Sequence, residues 1–155
     1  MLLAAAYAHA QQFVPTGRDT MRQLPGVEVL VEPLAPELAP SGLTGAAIRA
    51  SVEAQLKTGR IQIYGSQTDN PSPAKAYLYV HVTGLPLQGQ GYVLSVEVQL
   101  RQSLRSVVTM SNIVNAMTWD QQVVVVVPAA RALQDVNEEI RSLVSKFIQD
   151  WRAVH

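Results

Sequence analysis

The sequence predicts an α+β fold in which a mixed, mostly antiparallel sheet carries two helices on one face, in the order β-α-β-β-β-β-α. Stretches in which apolar and polar residues alternate recur along the chain, and two other stretches repeat apolar residues at three- and four-residue spacing. With 155 residues, 48% of them apolar and 15% charged, the chain suits one well-buried domain. We expect that α/β domain to span residues 25–155.

The chain begins with an apolar run, MLLAAAYAHA, whose last three residues show the small-x-small pattern of a signal-peptidase site. We interpret residues 1–10 as the remnant of a signal peptide that starts upstream of Met1, because no basic segment precedes the run. Cleavage would leave Gln11 first, and residues 11–24 would form a linker. A frayed, Ala-rich terminus is the alternative. The expected location is periplasmic or secreted.

The first strand, helix and second strand are predicted between residues 27 and 64. Residues 27–31 alternate and predict a strand. Ser41 or Thr44 is expected to cap a helix whose apolar residues recur four apart, namely Ile48, Val52 and Leu56. Gly59 is expected to end this helix in a left-handed conformation, and residues 60–64 predict the second strand.

The middle of the chain predicts a loop and a hairpin. Residues 65–75 are rich in proline and small polar residues, which indicates a mobile loop. Two alternating runs, 76–85 and 92–104, flank a Gly- and Pro-rich turn and predict a β-hairpin. Residues 105–118 are ambiguous between strand and turn, with Ser111-Asn112 as the break.

The last strand and the last helix carry the strongest apolar patterns. Residues 119–127 read WDQQVVVVV, and five consecutive valines favour a strand that is central or well covered. Trp119 shares parity with three of the valines, so we interpret it as a core anchor, with a ligand-stacking platform as the alternative. A helix is expected from Asp135, with Glu138 completing a capping-box-like start. Its apolar stripe comprises Leu133, Val136, Ile140, Leu143, Val144, Phe147, Ile148 and Trp151.

Few residues suggest catalytic or metal chemistry. The absence of cysteine excludes disulfides, thiolate zinc sites and lipid attachment at a lipobox. His9 would leave with the signal peptide, His155 is expected to be frayed, and His81 stands alone in a strand, where a structural role outweighs a catalytic one. Carboxylates are scattered, and no phosphate-binding loop or Gly-x-Ser-x-Gly elbow occurs. We predict no enzyme, no catalytic residue, no metal site and no cofactor.

The charge of the chain excludes some partners. Twelve basic residues balance twelve acidic ones, so no net field attracts nucleic acid or an anionic membrane to the whole protein. No stretch approaches the roughly 20 apolar residues of a transmembrane helix. We expect no nucleic-acid partner and no transmembrane segment.

Three short motifs resemble a family of small, uncharacterised, exported bacterial proteins. They are the helix end at Leu56 to Gly59, the Trp119-Asp120 strand and the terminal FIQDW run at Phe147 to Trp151, within a resemblance that covers residues 25–152. The family carries a similar Phe-x-x-Asp-Tyr/Trp run, and no activity comes with the resemblance. The order of elements is also similar to TolB amino-terminal-like envelope modules and to lipoprotein activators of cell-wall synthases. Those activators are lipid-anchored, whereas this chain has no cysteine to anchor.

The predicted function is that of an exported, non-enzymatic envelope module that binds a protein partner, or a second copy of itself, through a sheet face. One strand parity should face the helices, namely Val27, Val29, Val31, Ile61, Ile63, Leu78, Val80, Val82, Leu94, Val96, Val98 and Leu100. The other parity should present the interface, namely Tyr64, Tyr77, Tyr79, His81, Glu97, Gln99 and Arg101. A solvated face is the plain alternative for these residues. For function, the alternatives are a carrier or sensor of a small apolar ligand between sheet and helices, and an enzyme of unrecognised type.

Overall fold

Five strands and two α-helices, with short 3-10 turns between them, form the part of the chain that the structure describes. The structure is a computed structural model that describes residues 17–88 and 90–155. The strands are β1 (Val27–Val31), β2 (Ile63–Tyr64), β3 (Tyr77–Leu87), β4 (Gly91–Arg105) and β5 (Asn112–Val127), and the helices are α1 (Gly45–Thr58) and α2 (Ala132–Arg152). The predicted α+β class and the predicted order of elements are confirmed.

The sheet has the strand order β2-β1-β3-β4-β5 and mixes both kinds of pairing. β1 lies parallel to β2 and to β3, while the β3–β4 and β4–β5 pairs are antiparallel. β3, β4 and β5 have 11, 15 and 16 residues, whereas β1 and β2 have 5 and 2. By length of pairing the sheet is therefore mostly antiparallel.

Both helices pack on one face of the sheet, and the strand parity predicted to meet them forms the core. Of the twelve residues expected on this face, Val31 and Ile63 are partly buried and the other ten are buried. α1 adds Ile48, Val52 and Leu56, and α2 adds Ala132, Val136, Ile140, Leu143, Val144, Phe147 and Trp151. Apolar area removed from water on this one face stabilises the fold.

The residues at the two ends of α1 have different roles. Thr44 caps the start, because its Oγ1 accepts a hydrogen bond from the amide of Ala47 at 3.2 Å. The left-handed conformation expected at Gly59 is wrong: Gly59 is right-handed with φ −70°, and Arg60 takes the positive φ of 62°. A Cβ at Gly59 would lie 3.0 Å from Ile148 Cγ2. The glycine therefore serves the close approach of α1 to α2.

The packed structure starts earlier than expected. A 3-10 turn at Gly17–Met21 lies against β5 and α2, Met21 is fully buried, and Leu24 is also part of the core. This part of the predicted linker 11–24 thus belongs to the domain. Residues 1–16, and with them the predicted signal-peptide remnant, lie outside the described residues.

α2 begins at Ala132, three residues before the expected start at Asp135. The Asp135 carboxylate pairs instead with Arg131, at 2.8 Å between Oδ1 and the guanidinium Nη2, so it is not the cap. Leu133, assigned to the apolar stripe, is exposed on the outer side of the first turn. The rest of the stripe faces the sheet or packs against the core.

The valine strand β5 is an edge strand, so the expectation of a central or well-covered position is wrong. Val127 is buried, and Val123 and Val125 pack partly against the core. Val124 and Val126, which point to the other face, are 64% and 69% exposed. In a strand covered on one face only, apolar and polar residues normally alternate. Because five consecutive residues here are valine, the sequence shows no alternation from which the exposed face could be predicted.

The ambiguous segment 105–118 completes a long β4–β5 hairpin. β4 continues to Arg105, a turn follows, and β5 starts at Asn112, where the break was expected. We call residues 104–115 the arm. The arm presents most of the large exposed apolar side chains of the described chain.

The loop over residues 65–75, expected to be mobile, has a hydrogen-bonded conformation. Asn70 is fully buried, and its Oδ1 accepts from the Ser72 amide at 3.0 Å. Lys75 Nζ donates to the Asn70 carbonyl at 2.6 Å, and the Ser103 amide of β4 donates to Ala74 O at 2.6 Å. These bonds tie the loop to itself and to the sheet.

Candidate functional site

The sheet face away from the helices carries all seven residues of the predicted interface. Tyr64 comes from β2, Tyr77, Tyr79 and His81 from β3, and Glu97, Gln99 and Arg101 from β4. The β3–β4 register places three direct cross-strand pairs side by side, Tyr77 with Arg101, Tyr79 with Gln99, and His81 with Glu97. The predicted residues are therefore neighbours, and we call this surface the open face.

A chain of polar contacts crosses the middle of the open face. The Arg101 guanidinium lies 4.5 Å from the centroid of the Tyr79 ring, a cation–π contact, and its Nε donates to Gln99 Oε1 at 2.7 Å. Gln99 Nε2 in turn donates to Glu97 Oε1, whose other oxygen lies 3.7 Å from His81 Nδ1. These groups satisfy one another, so this part of the face is stable in water without a partner.

The Tyr79 hydroxyl donates to Glu32 Oε2 of the segment after β1, at 2.5 Å. This bond to a carboxylate, with burial and the negative charge of Glu32 adding to it, raises the pKa of Tyr79 to about 12. The nearby Arg101 acts in the opposite direction. Tyr79 is thus held neutral, as a hydrogen-bond donor, through the whole physiological range.

The end of the open face next to the 65–75 loop is closed. Tyr77 and Gln99, both expected to be presented to a partner, are buried. Burial also raises the pKa of the Glu28 carboxyl against the opposing charge of Arg49, and Asp69 of the loop raises it further. This end offers little surface for binding.

The opposite end of the open face is apolar and exposed. The register aligns Leu85, Val93 and Val126 in one row across β3, β4 and β5, and Thr83, Ser95 and Val124 in the next. Leu85 is 72% exposed, and Val124 and Val126 of β5 are exposed to a similar degree. Leu85 and Val93 share the parity of the open face in β3 and β4, and Val124 and Val126 share it in β5, but the interface predicted from the sequence did not include them.

The outer edge of β5 has no strand partner within residues 17–88 and 90–155. Only its middle is covered there by the 3-10 turn, where a Cβ on Gly17 would lie 2.6 Å from the Thr118 carbonyl oxygen. From Asp120 to Val127 the edge presents backbone donors and acceptors beside the exposed valines. Unpaired groups of this kind are a template for an added strand.

Trp119 is a core residue, as interpreted from its parity, because it is buried under α2. Its ring meets Phe147 edge-on with centroids 5.2 Å apart, and its Nε1 donates to Asp150 Oδ2 at 2.9 Å. Phe147 is in turn 5.8 Å from the Trp151 ring. The Asp150 carboxylate therefore orients an aromatic cluster, and the burial of Trp119 leaves no stacking platform for a ligand.

The histidines of the described chain hold structural positions. His81 lies beside Glu97 on the open face, and His155, expected to be frayed, stacks on Trp151 at 4.3 Å and contacts Leu24 O through Nε2 at 3.2 Å. No cluster of three or more potential metal ligands occurs within residues 17–88 and 90–155.

A surface groove with a volume of about 670 Å³ lies between α1 and α2, on the side of the helices away from the sheet. Gly59 and Ile148 line its inner part, and Gln55 contributes a buried Nε2 with no hydrogen-bond partner in the structure. Arg141 and Arg152 stand at its exposed sides. This groove is not the cavity expected of a carrier, which would lie between sheet and helices.

Comparisons with protein-family models, with curated proteins and with solved structures find no match to this chain. The resemblance to small exported bacterial proteins and to TolB-like modules therefore stays a prediction. Among the helices of the described chain, none is long and apolar enough to cross a membrane.

Proposed function

We propose that this protein is a non-enzymatic interaction module of the bacterial cell envelope, which binds a protein partner through the open face and the edge of its sheet. The observation that carries the proposal is the C-terminal half of β5, where Val124 and Val126 are exposed beside an edge without a described strand partner. An apolar edge of this kind invites aggregation unless something covers it. A partner that adds a strand would cover the edge and use its backbone groups.

The apolar end and the polar middle of the open face would have different roles in binding. The row formed by Leu85, Val93 and Val126 supplies the apolar contact from which most binding energy comes. Tyr79 and Arg101 in the polar middle add amphipathic groups of the kind enriched at interfaces. A solvated face explains the polar middle by itself, but it gives no reason for the apolar row.

The proposed location is the periplasm or the exterior of the cell. The small-x-small pattern that ends the apolar run at residues 1–10 supports it. The alternative function, a carrier or sensor of a small apolar ligand, needs room between sheet and helices. Leu78, Val96, Val144 and Phe147 in that layer are fully buried by one another and their neighbours, which favours the interaction module.

Site-specific photo-crosslinking in intact cells tests this proposal. A crosslinking residue at Val124 should give an adduct with a protein in the periplasmic fraction, and the same residue at the exposed Ser142 of α2 should not. Val126→Lys places a charge in the apolar row and should abolish the adduct while leaving the circular-dichroism spectrum unchanged. An adduct that survives Val126→Lys, or that forms equally from Ser142, would contradict binding at β5.

A further inference from the structure

The arm projects beyond the last residues that anchor β4 to the rest of the molecule. The buried Nε2 of Gln102 donates to Thr118 Oγ1 at 2.8 Å and to the Thr20 carbonyl at 3.3 Å, and the amide of the next residue, Ser103, donates to Ala74 O at 2.6 Å. Past Ser103 the two strands pair with each other, Leu104 with Ile113 and Arg105 with Asn112. At about 3.3 Å per residue the two strands reach roughly 7 Å farther before the turn begins.

The end of the arm is apolar on its outside. Val107 and Val108 in the turn are 89% and 88% exposed, and Met110 beside them is exposed as well. The strands behind the turn add further exposed side chains, namely Leu104, Ile113 and Val114. A cluster of this size on a projecting element marks a binding site.

The polar groups at the turn are bonded within the turn itself. Ser106 Oγ accepts from the amides of Val108 and Thr109 at 3.3 and 3.1 Å, and the Ser106 amide donates to Ser111 O at 2.9 Å. The hydroxyls of Thr109 and Ser111 lie 2.6 Å apart. The turn therefore exposes apolar side chains while several of its donors are already satisfied, which is what a medium without water demands.

The charge of the arm has one sign. Between Glu97 and Asp120 the sequence has no acidic residue, and its charged residues there are Arg101 and Arg105. Arg105 stands at the base of the turn, where its Nε is 3.4 Å from the Met110 carbonyl oxygen, and it forms no ion pair with a carboxylate of the described chain. A cation directly behind an apolar tip complements an anionic headgroup above hydrocarbon.

We infer that the tip of the arm, residues 106–110, inserts into an anionic lipid surface. A protein partner would need a pocket shaped to this convex end, and it would gain little from backbone amides that are already bonded within the turn. Hydrocarbon needs no matching shape, and it favours the self-satisfied turn. Three apolar side chains and one arginine give weak, reversible binding, so the arm would orient the domain on a membrane without anchoring it.

A single labelled cysteine tests the insertion, because the chain has no other cysteine. Val108→Cys carrying an environment-sensitive fluorophore should brighten and shift to the blue when vesicles of phosphatidylglycerol and phosphatidylethanolamine are added. Ser142→Cys, labelled in the same way on the exposed side of α2, should not change. Vesicles of phosphatidylcholine alone should give a weaker response, because they offer no charge to Arg105.

Binding by the full chain to the same vesicles, measured by sedimentation, separates the arm from other surfaces. Val107→Ser with Val108→Ser should weaken partitioning roughly tenfold or more, because both apolar side chains at the tip are lost. Val124→Ser with Val126→Ser, an equally exposed pair on β5, should leave it unchanged. Unaltered sedimentation of the tip variant would overturn the inference. The inference would also be overturned if the Val108 label did not respond to vesicles and the tip variant abolished self-association of the chain, since the arm would then bind protein.

Discussion

β5 passes through two environments within a few residues. Trp119 is 6% exposed, beneath α2, with its indole nitrogen bonded to Asp150, whereas Met117, two residues earlier, is 55% exposed on the open face. Both residues are large and apolar and both belong to one continuous strand. The difference lies in the register, because a β-bulge at Thr118 pairs Trp119 with Leu100 of the core face and Met117 with Arg101 of the open face. Apolar character along a strand therefore does not establish burial, and exposed apolar residues mark where binding is expected.

The largest expected effect is at the covered end of this comparison. Phe147→Ala removes a fully buried ring that packs between Trp119 and Trp151, and it should lower the free energy of unfolding by about 3–5 kcal/mol. Leu133→Ala on the exposed side of the same helix serves as the control and should cost less than about 1 kcal/mol. Urea titrations of the three proteins measure the differences. Equal losses of unfolding free energy in both variants would show that α2 does not have one buried side and one exposed side.

An intermediate effect is expected on the open face. Tyr79→Phe removes the bond to Glu32 and should cost about 0.5–1 kcal/mol at neutral pH, since water reaches this partly exposed pair and replaces part of the bond. A raised pKa means that the neutral phenol is favoured in the folded state. The contribution is therefore complete below the ordinary tyrosine pKa of about 10 and is lost as the pH rises through about 12.

Absorbance titration of tyrosine ionisation checks the cause of that effect. The parent protein should show a component that ionises near pH 12 and that Tyr79→Phe removes. Tyr64→Phe, on the same face without a hydrogen bond through its hydroxyl in the structure, should leave this component in place. A high component that persists without Tyr79 would mean that the bond to Glu32 is not formed in solution.

The smallest effect is expected on the arm. Val107→Ser with Val108→Ser should change the free energy of unfolding by no more than about 0.5 kcal/mol, because neither side chain is covered in the folded protein. The same urea titrations measure it. A loss above about 1 kcal/mol would mean that the arm packs against another part of the chain, and the contrast between the exposed arm and the buried Trp119 would then disappear.

Local patterns were sufficient for the elements that bury one face. The alternation in β1, β3 and β4 predicted both the strands and the parity that meets the helices, because a side-chain period of two needs no knowledge of the neighbouring strands. For the candidate site the same parity placed seven residues on one face. It did not predict that Tyr77 and Gln99 would be buried there, since that depends on contacts made by distant segments.

Two segments show where pattern alone is insufficient. The five valines look the same on either parity, so their sequence is compatible with a central strand and with an edge strand. The polar and apolar residues of 105–118 follow no clear periodicity. Much of this segment forms strands because β4 and β5 continue to pair with each other beyond the core. In both segments the outcome depends on which partner strand is present.

The sequence by itself determined the class, the order of elements and the helix-facing core, because these follow from the periodicity of apolar residues along the chain. Only the tertiary structure decided that β5 lies at the edge, that the arm projects, and that Leu85, Val124 and Val126 meet on one exposed surface. The physical reason is that exposure is a property of the surroundings. A side chain's own chemistry sets what burial is worth, and the packing of other segments decides whether the burial occurs.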